Sequence, residues 1–564
     1  MKHRKTAGIL SFVLCLAMIL TACSGKNDNG SNSSNAPSTE PNETNAATTE
    51  KAAPAVDPFG KYDPPITITA AKIVGANVKF KEGEDLQNNV WSKLYADTLG
   101  VTVDYAWTTP DLPSYEQKMN LTIASGELPD VFTVTANMLN QLVEAGLVED
   151  LTAAIDQYAA PITKEILKAA GKQPLQSATF DGKVYGFPAT GSAADIAPVL
   201  YVRTDWLKKL NLPEPKTMAD LLAISDAFTN QDPDGNGKKD TYGLALTKDS
   251  VHDTNVAGLQ GFMNGYHAYL DIWINDASGK LVFGGIQPEV KQALAQLQQM
   301  YKTGQIDKEF GTKDAGKVGE DLNRIGMQFG RMWNPGWPLQ GQVTSNPGME
   351  WTPYPIPSID DKPALAATFF PVNSYLVVRK GFEHPELAVK MMNLYYEKNF
   401  GPTADPATYN KTPEGVETLQ YAIMMAEPPT KNYDAHIKVV DALKSGDTSK
   451  LNAEELGYVN EIKQFNEGDI NKWAANKIFG PGGSQSVLGQ YITGKLTQPD
   501  EFYGAPTPTM AQRKSSLDTL MEETFAKIIM GGASIDEFDK YVENWKKLGG
   551  DAITQEVNDW YSSK

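Results

Sequence analysis

Cysteine and histidine are nearly missing from this chain of 564 residues, which has two of the first and five of the second. Both cysteines, Cys15 and Cys23, fall at the start, so the remaining chain has no thiol. That excludes disulfides, cysteine catalysis and thiolate metal sites in the body. The histidines, at 3, 252, 267, 384 and 436, form no His-Glu-x-x-His pair, which removes the usual hydrolytic zinc signature. No Gly-x-Ser-x-Gly elbow occurs either, so the commonest serine-hydrolase pattern is missing. "GTKDAGKV" (311–318) falls short of a phosphate loop, because Val318 stands where a hydroxyl should hold magnesium. It is expected to be a solvated loop.

Positive charge is also short. Lysine and arginine total 51 against 69 acidic residues, a formal net charge of −18. Such acidity argues against nucleic acid as a partner and against a body lying on anionic lipid. It leaves a neutral or locally steered ligand. The two carboxylates of a glycosidase need only be neighbours in space, so spacing neither favours nor removes that chemistry.

The chain opens with basic "MKHRK", an apolar "AGILSFVLCLAMIL" and then "LTAC". The apolar run is short for a membrane span, and small residues before a cysteine suggest a cleavage site. Leu20 to Cys23 resembles the bacterial lipobox, which implies a signal peptide over 1–22 and diacylglycerol on Cys23. From Ser24 to about Pro58 the chain is Asn, Ser, Thr, Pro, Ala and Glu, too polar to bury a core and best read as a tether.

The body alternates strands and helices. "ITITAAKIV" (66–74) and "VTVDYAW" (101–107) read as strands, and "LQNNVWSKLYADTLG" (86–100) between them reads as a helix stopped by Gly100. A helix over 114–124 and a strand in "PDVFTV" follow, which together predict a doubly wound sheet. "PVLYVRT" (198–204) starts a second set, with helices over 217–229 and 287–304. Near the end, Ser534 and Glu537 make a capping box, Ile535, Phe538, Val542 and Trp545 an apolar face, and Gly549 a stop.

In "NQDPDGNGKKDTYG" (230–243), Asp232, Asp234, Asn236 and Asp240 hold alternate positions around Gly237, with the Lys238 carbonyl as a further oxygen. Hard oxygens at this spacing suit calcium. The twelfth place is Gly243 in place of a bidentate Glu, so this is no EF-hand sensor, and a plain polar turn is the rival reading. Aromatic residues recur in loops after strands: "YGFP" (185–188), "RMWNPGWP" (331–338) and "FFPVNSY" (369–375). In open α/β sheets ligands sit beyond the carboxyl ends of the strands, and flat rings there suit sugar faces. Half-buried loop anchors are the plainer alternative.

From about Tyr62 onward the chain resembles the extracellular solute-binding proteins of ABC importers, in the sugar-binding branch that includes Gram-positive lipoproteins. The likeness rests on "SGELPDVF", "DGKVYGFP", "RIGMQFGRMWNPGW", "NSYLVVRKGFEHPELAVKMMNLYY" and "FYGAPTPTMAQR" followed by "FAKIIMGG". It implies a two-lobed α/β clamshell, each lobe a doubly wound sheet flanked by helices, with a helical C-terminal part. Residues 23–61 would be the lipidated cysteine and tether, 62–190 with 372–398 the first lobe, and 191–371 with 399–564 the second. It also implies a monomer, anchored to the outer face of the cytoplasmic membrane, that passes a sugar to permease subunits. Contacts to the sugar are expected from Asp130, Tyr185, Trp333, Trp337 and Tyr375. The loop resembles the family's structural calcium site, although Thr241 stands where a carboxylate often completes it. The rivals are a wall-tethered glycoside hydrolase or lyase, and the same fold holding a peptide or other small solute.

Overall fold

The computed structural model describes residues 56–252 and 255–564. The expected signal segment, Cys23 and most of the tether therefore lie outside the described residues. Nine strands form the two main sheets: β1 (Ile66–Ile73), β2 (Val101–Thr109), β3 (Val131–Val134), β4 (Phe187–Pro188), β5 (Val199–Arg203), β6 (Tyr242–Leu244), β7 (Ile325–Gly330), β8 (Trp351–Tyr354) and β9 (Tyr375–Val378). The first sheet runs β2-β1-β3-β9-β4 and the second β8-β5-β7-β6.

In the first sheet β1, β2 and β3 are parallel, while β9 returns antiparallel to β3, with Tyr375 opposite Val134. The residues entering β9 thus meet the carboxyl end of β3. The connecting helices carry the signals that their sequences suggest. Asn89 caps the helix Val90–Leu94, whose continuation Tyr95–Leu99 is a π turn ended by Gly100 at φ 69°. Asp111 accepts from the Ser114 amide and starts the helix Leu112–Ser125. The core beneath is aromatic: buried Trp91 stacks on Tyr395 of the helix Leu387–Phe400 at 5.4 Å. Buried Asn393, on the same helix, accepts from the Ala160 amide and the Thr163 hydroxyl and donates to the carbonyls of Pro58 and Tyr158. All its hydrogen-bonding capacity is used, which pins the end of the tether to this lobe.

The second sheet is mixed. β5 is antiparallel to β7 and to β8, and β6 is parallel to β7. A Thr217/Asp220 capping box opens the helix Met218–Asn230, which packs on this sheet. Residues expected to form the end of the second lobe do not all do so. Tyr421, Ala422, Ile423, Met424 and Ala426 are buried in the first lobe's core, so the segment 401–426 packs with the first lobe, and the chain passes to the second at 427–430. Two local expectations are corrected. Residues 311–318 are not a solvated loop: Lys313 bonds to Asp321 at 2.6 Å, and Val318 is buried on the short helix Ala315–Asp321. The Ser534/Glu537 capping box does not form, because the helix begins only at Glu537 and the Glu537 amide bonds to the Ser534 carbonyl. Its buried face is Phe538, Tyr541 and Trp545. No helix among the described residues is long and apolar enough to cross a membrane.

Candidate functional site

Three passages join the lobes: 189–198 between β4 and β5, 369–374 ahead of β9, and 427–430. They enter the sheets where the carboxyl ends of β1, β2, β3, β6 and β7 point, so those ends face one another across the hinge. This is where an open α/β sheet exposes its ligand loops. A pocket of about 320 Å³ lies here, between Gln173 of the first lobe and Tyr491 and Lys495 of the second, with Thr190, Gly191 and Pro371 from the passages.

Immediately after β7 comes the loop 331–339. Trp333 is 36% exposed and Trp337 53%, whereas Asn334 between them is fully buried. Asn334 Nδ2 donates to the Asn255 carbonyl at 2.9 Å, and the Asn334 amide donates to the Arg331 carbonyl at 3.0 Å. The turn can fold back this tightly because residue 330 is glycine. A Cβ on Gly330 would lie 1.8 Å from Asn334 Oδ1. The two rings are thus held out by a braced loop, and a single substitution at Gly330 would dislodge it.

The other expected contacts fare differently. Tyr185 is half-buried, edge-on to Phe180 with ring centroids 6.3 Å apart, inside the first lobe. Tyr375 is only 1% exposed, its hydroxyl donates to Ser177 Oγ at 2.7 Å, and burial pushes its pKa up to about 12. A ring so enclosed cannot stack on a sugar, so Tyr375 is a core residue. Asp130 stands at the amino end of β3, away from the strand ends that face the hinge. Its carboxylate accepts from the Thr69 amide and hydroxyl, both at 2.8 Å, and from the Arg379 guanidinium at 2.7 Å. Burial opposes its charge, but these bonds hold it below the usual carboxylate range. Asp130 is a bracket within the first lobe and not a ligand contact.

Several residues at the junction escaped the sequence reading. The Arg331 guanidinium sits 5.9 Å from the ring of Phe369, in the second passage. Phe370, its neighbour, packs against Tyr503 at 5.7 Å. Asp195, in the first passage, is buried and accepts from Asn432 Nδ2 at 2.8 Å and Gln485 Nε2 at 3.2 Å. Burial raises its pKa despite those bonds, and burial likewise raises Glu427 in the third passage. Burial alone would lower Lys431, but Glu454 and Glu427 raise it. Arg331 and Tyr503 lay inside quoted motifs; Asp195 had no signal, since an Asp among Ala and Ser in a loop looks like any solvated turn.

The acidic loop draws its members together through Asn236. Asn236 Nδ2 donates to Asp234 Oδ2 at 2.7 Å and to Asp240 Oδ1 at 3.2 Å, while Asp232 Oδ2 accepts from the Gly237 amide at 3.1 Å. Lys238 contributes its amide to Asn236 Oδ1 at 2.7 Å. Partial burial and the Asp232 and Asp240 carboxylates raise the pKa of Asp234. Among the described residues no group of three or more His, Cys, Asp or Glu is arranged to hold a metal ion. The oxygens are nonetheless the hard donors calcium takes, and an amide N–H group stands between two carboxylates where a cation would relieve their repulsion. Thr241 does not join them; its hydroxyl donates to the Phe228 carbonyl, buried in the lobe.

Residues 91–320 match the model of the bacterial extracellular solute-binding proteins. The chain is 25% identical over 487 residues to lipoprotein LipO of Bacillus subtilis, covering 82% of this chain and 87% of that one. It is 23% identical over 470 residues to the polygalacturonan/rhamnogalacturonan-binding protein YtcQ of the same organism, covering 81% and 85%. The solved structure of the Streptococcus pneumoniae ABC-transporter substrate-binding protein FusA in complex with kestose shares the fold, with a TM-score of 0.54 and 19% identity over 88% of this chain and 100% of that one. Matched residues 91–320, relatives along most of the chain and the two-lobed fold are all similar to those of the bacterial extracellular solute-binding proteins.

Proposed function

We propose that this protein captures a carbohydrate, an oligosaccharide by preference, between its two lobes and hands it to the permease subunits of an ABC importer. The observation that carries this reading is the pair of exposed tryptophans, Trp333 and Trp337, on a loop braced by buried Asn334 at the carboxyl end of β7. Trp333 and Trp337 stack on sugar faces, and Tyr185 contributes a ring edge from the other lobe. The similarity to YtcQ, a polygalacturonan/rhamnogalacturonan-binding protein, and to FusA, a fructooligosaccharide ABC transporter substrate-binding protein, supports the ligand class.

The lobes, 62–190 with 372–398 and 191–371 with 399–564 as modified by the 401–426 segment, close about the three passages when sugar touches both. Only contacts stronger in the closed form can drive that closure. The permease then reads the closed form. Asp232, Asp234, Asn236, the Lys238 carbonyl and Asp240 would hold calcium as a structural ion, which would stiffen the connection between the helix Met218–Asn230 and β6, away from the hinge. Its chemistry is charge neutralisation alone, and no step of binding runs through it. Cys23 carries the lipid, with an acyl chain such as palmitate, and residues 24–61 tether a monomeric body that uses no nucleic acid partner and performs no catalysis. Titrating the purified protein with oligosaccharides, before and after replacing both tryptophans by alanine, tests the reading: unchanged affinity would remove it.

A further inference from the structure

Residues 421–427 are fastened to the first lobe at both ends. The Tyr421 hydroxyl donates to the Lys79 carbonyl, in the loop after β1, and the Tyr421 ring stacks on Phe80 with centroids 4.8 Å apart. Lys72, next to last in β1, donates from Nζ to the Ala422 carbonyl. The Ile423 amide donates to the Tyr95 hydroxyl at 3.2 Å. At the other end, just past β4, the Glu427 amide donates to the Thr190 carbonyl at 2.8 Å, and the Thr190 hydroxyl donates to the Glu427 carbonyl at 2.9 Å. The first anchors stand at the carboxyl end of β1 and the last at the carboxyl end of β4. The segment is therefore a strap across the end of the first sheet that faces the second lobe.

The strap has little slack. β3 and β9 lie between β1 and β4, which sets the two about 14 Å apart at the usual strand spacing. The chain from 422 to 427 reaches at most about 18 Å when fully extended. Pro428 and Pro429 follow at once and stiffen the exit. One side of the strap is given to the core, where Ile423, Met424 and Ala426 are buried. Met425, between them, is 49% exposed. A lone apolar side chain on a free surface is ordinary. Here the neighbours on both sides are fixed in the core and the backbone is nearly taut, so Met425 has no local way to tuck in. It stands at the end of the sheet that faces the second lobe, directly before the third passage.

We propose that Met425 is the first lobe's contact to the ligand in the hinge space, packing on the apolar face of a sugar unit while Trp333 and Trp337 hold the ligand from the second lobe. This inference rests on the carbohydrate reading above. A thioether is soft and polarisable and only a weak hydrogen-bond acceptor, so its contribution comes from C–H surface covered on binding.

A footprint tests it. The purified full chain is oxidised with hydrogen peroxide, free and saturated with whichever of kestose, maltotriose, cellotriose and trigalacturonate binds, and sulfoxide at each methionine is followed by peptide mass spectrometry. Met530, 38% exposed just past the helix Pro508–Ile529 of the second lobe, is the internal control. Bound sugar should slow oxidation of Met425 by about tenfold or more and leave Met530 unchanged. Met425→Ala should weaken binding about three- to tenfold, and Met425→Leu, which keeps the apolar bulk, should stay within about twofold. A sugar that binds without shielding Met425, equal shielding of Met530, or a folded Met425→Ala with unchanged affinity would each overturn this inference and leave the carbohydrate reading standing. Binding of none of these sugars would overturn both.

Discussion

The Tyr503 hydroxyl donates to Gln176 Oε1 at 3.0 Å, which ties a C-terminal loop of the second lobe directly to the first. The same ring packs on Phe370 of the second passage, and Lys564 Nζ reaches the Gln176 carbonyl at 3.5 Å. A contact that spans the lobes belongs to one hinge angle and is lost when the lobes part. In the closure proposed above it would favour the form in which both lobes meet.

Tyr503→Phe removes that bond and keeps the ring. A net hydrogen bond contributes about 0.5–1.5 kcal/mol, so sugar affinity should fall about two- to tenfold. The loss should appear in the dissociation rate, measured by stopped-flow tryptophan fluorescence. An unchanged rate would mean that the bond does not hold the closed form.

Trp333→Ala and Trp337→Ala should each weaken oligosaccharide binding by about tenfold or more, as exposed aromatic anchors do when truncated. Stability should barely change, since both rings are substantially exposed. Tyr375→Phe is the internal contrast: it loses the bond to Ser177 within the first lobe, so melting temperature should fall while sugar affinity stays. The reverse pattern would return Tyr375 to the ligand site.

Asp130 gives a pH signature. Its folded pKa lies below its unfolded value because Thr69 and Arg379 favour the charged form over the opposing effect of burial. The stabilisation is therefore present above the unfolded value, near about 3.9, and is lost as pH falls through the lower folded value. Asp130→Asn should cost about 1–2 kcal/mol at neutral pH, discounted for the exposed side of Arg379, and the gap should close in acid. Urea melts across pH check this, and a constant gap would contradict it.

Chelation tests the acidic loop. Removing calcium should lower the melting temperature of the wild type by about 2 °C or more and leave Asp234→Asn unaffected. Sugar affinity should be preserved within about twofold, because the loop enters β6 at its amino end and lies in none of the three passages. Equal melting with and without chelator would reduce the loop to a polar turn.

Much of this architecture was legible because local signals and burial agree. Alternation in Ile66–Ile73, the Asn89 cap and the Gly100 stop each specify what the fold uses. The exposure of Trp333 and Trp337 was legible for the opposite reason: rings in a Pro- and Gly-rich loop have no packing period to serve. Tyr375 misled because the motif around it enters a buried strand, and period alone cannot tell which ring of such a run faces the core. Asp130 misled because its partners, Thr69 and Arg379, are far away in sequence, and a carboxylate's neighbours in space are not written in its own segment. The same holds for Asp195 with Asn432 and Gln485. The segment 401–426 packs in the lobe opposite to the one expected because it has no strong periodicity until Tyr421–Met424 and Ala426 meet the first core.

The most direct measurement is calorimetric titration of the purified full chain with a panel of mono- and oligosaccharides and peptides, with each mixture assayed afterwards for new reducing ends. The account predicts saturable binding of one class of oligosaccharide, abolished in the Trp333→Ala/Trp337→Ala double variant, and no product. Binding of peptides alone, or release of reducing ends from any sugar in the panel, would contradict it.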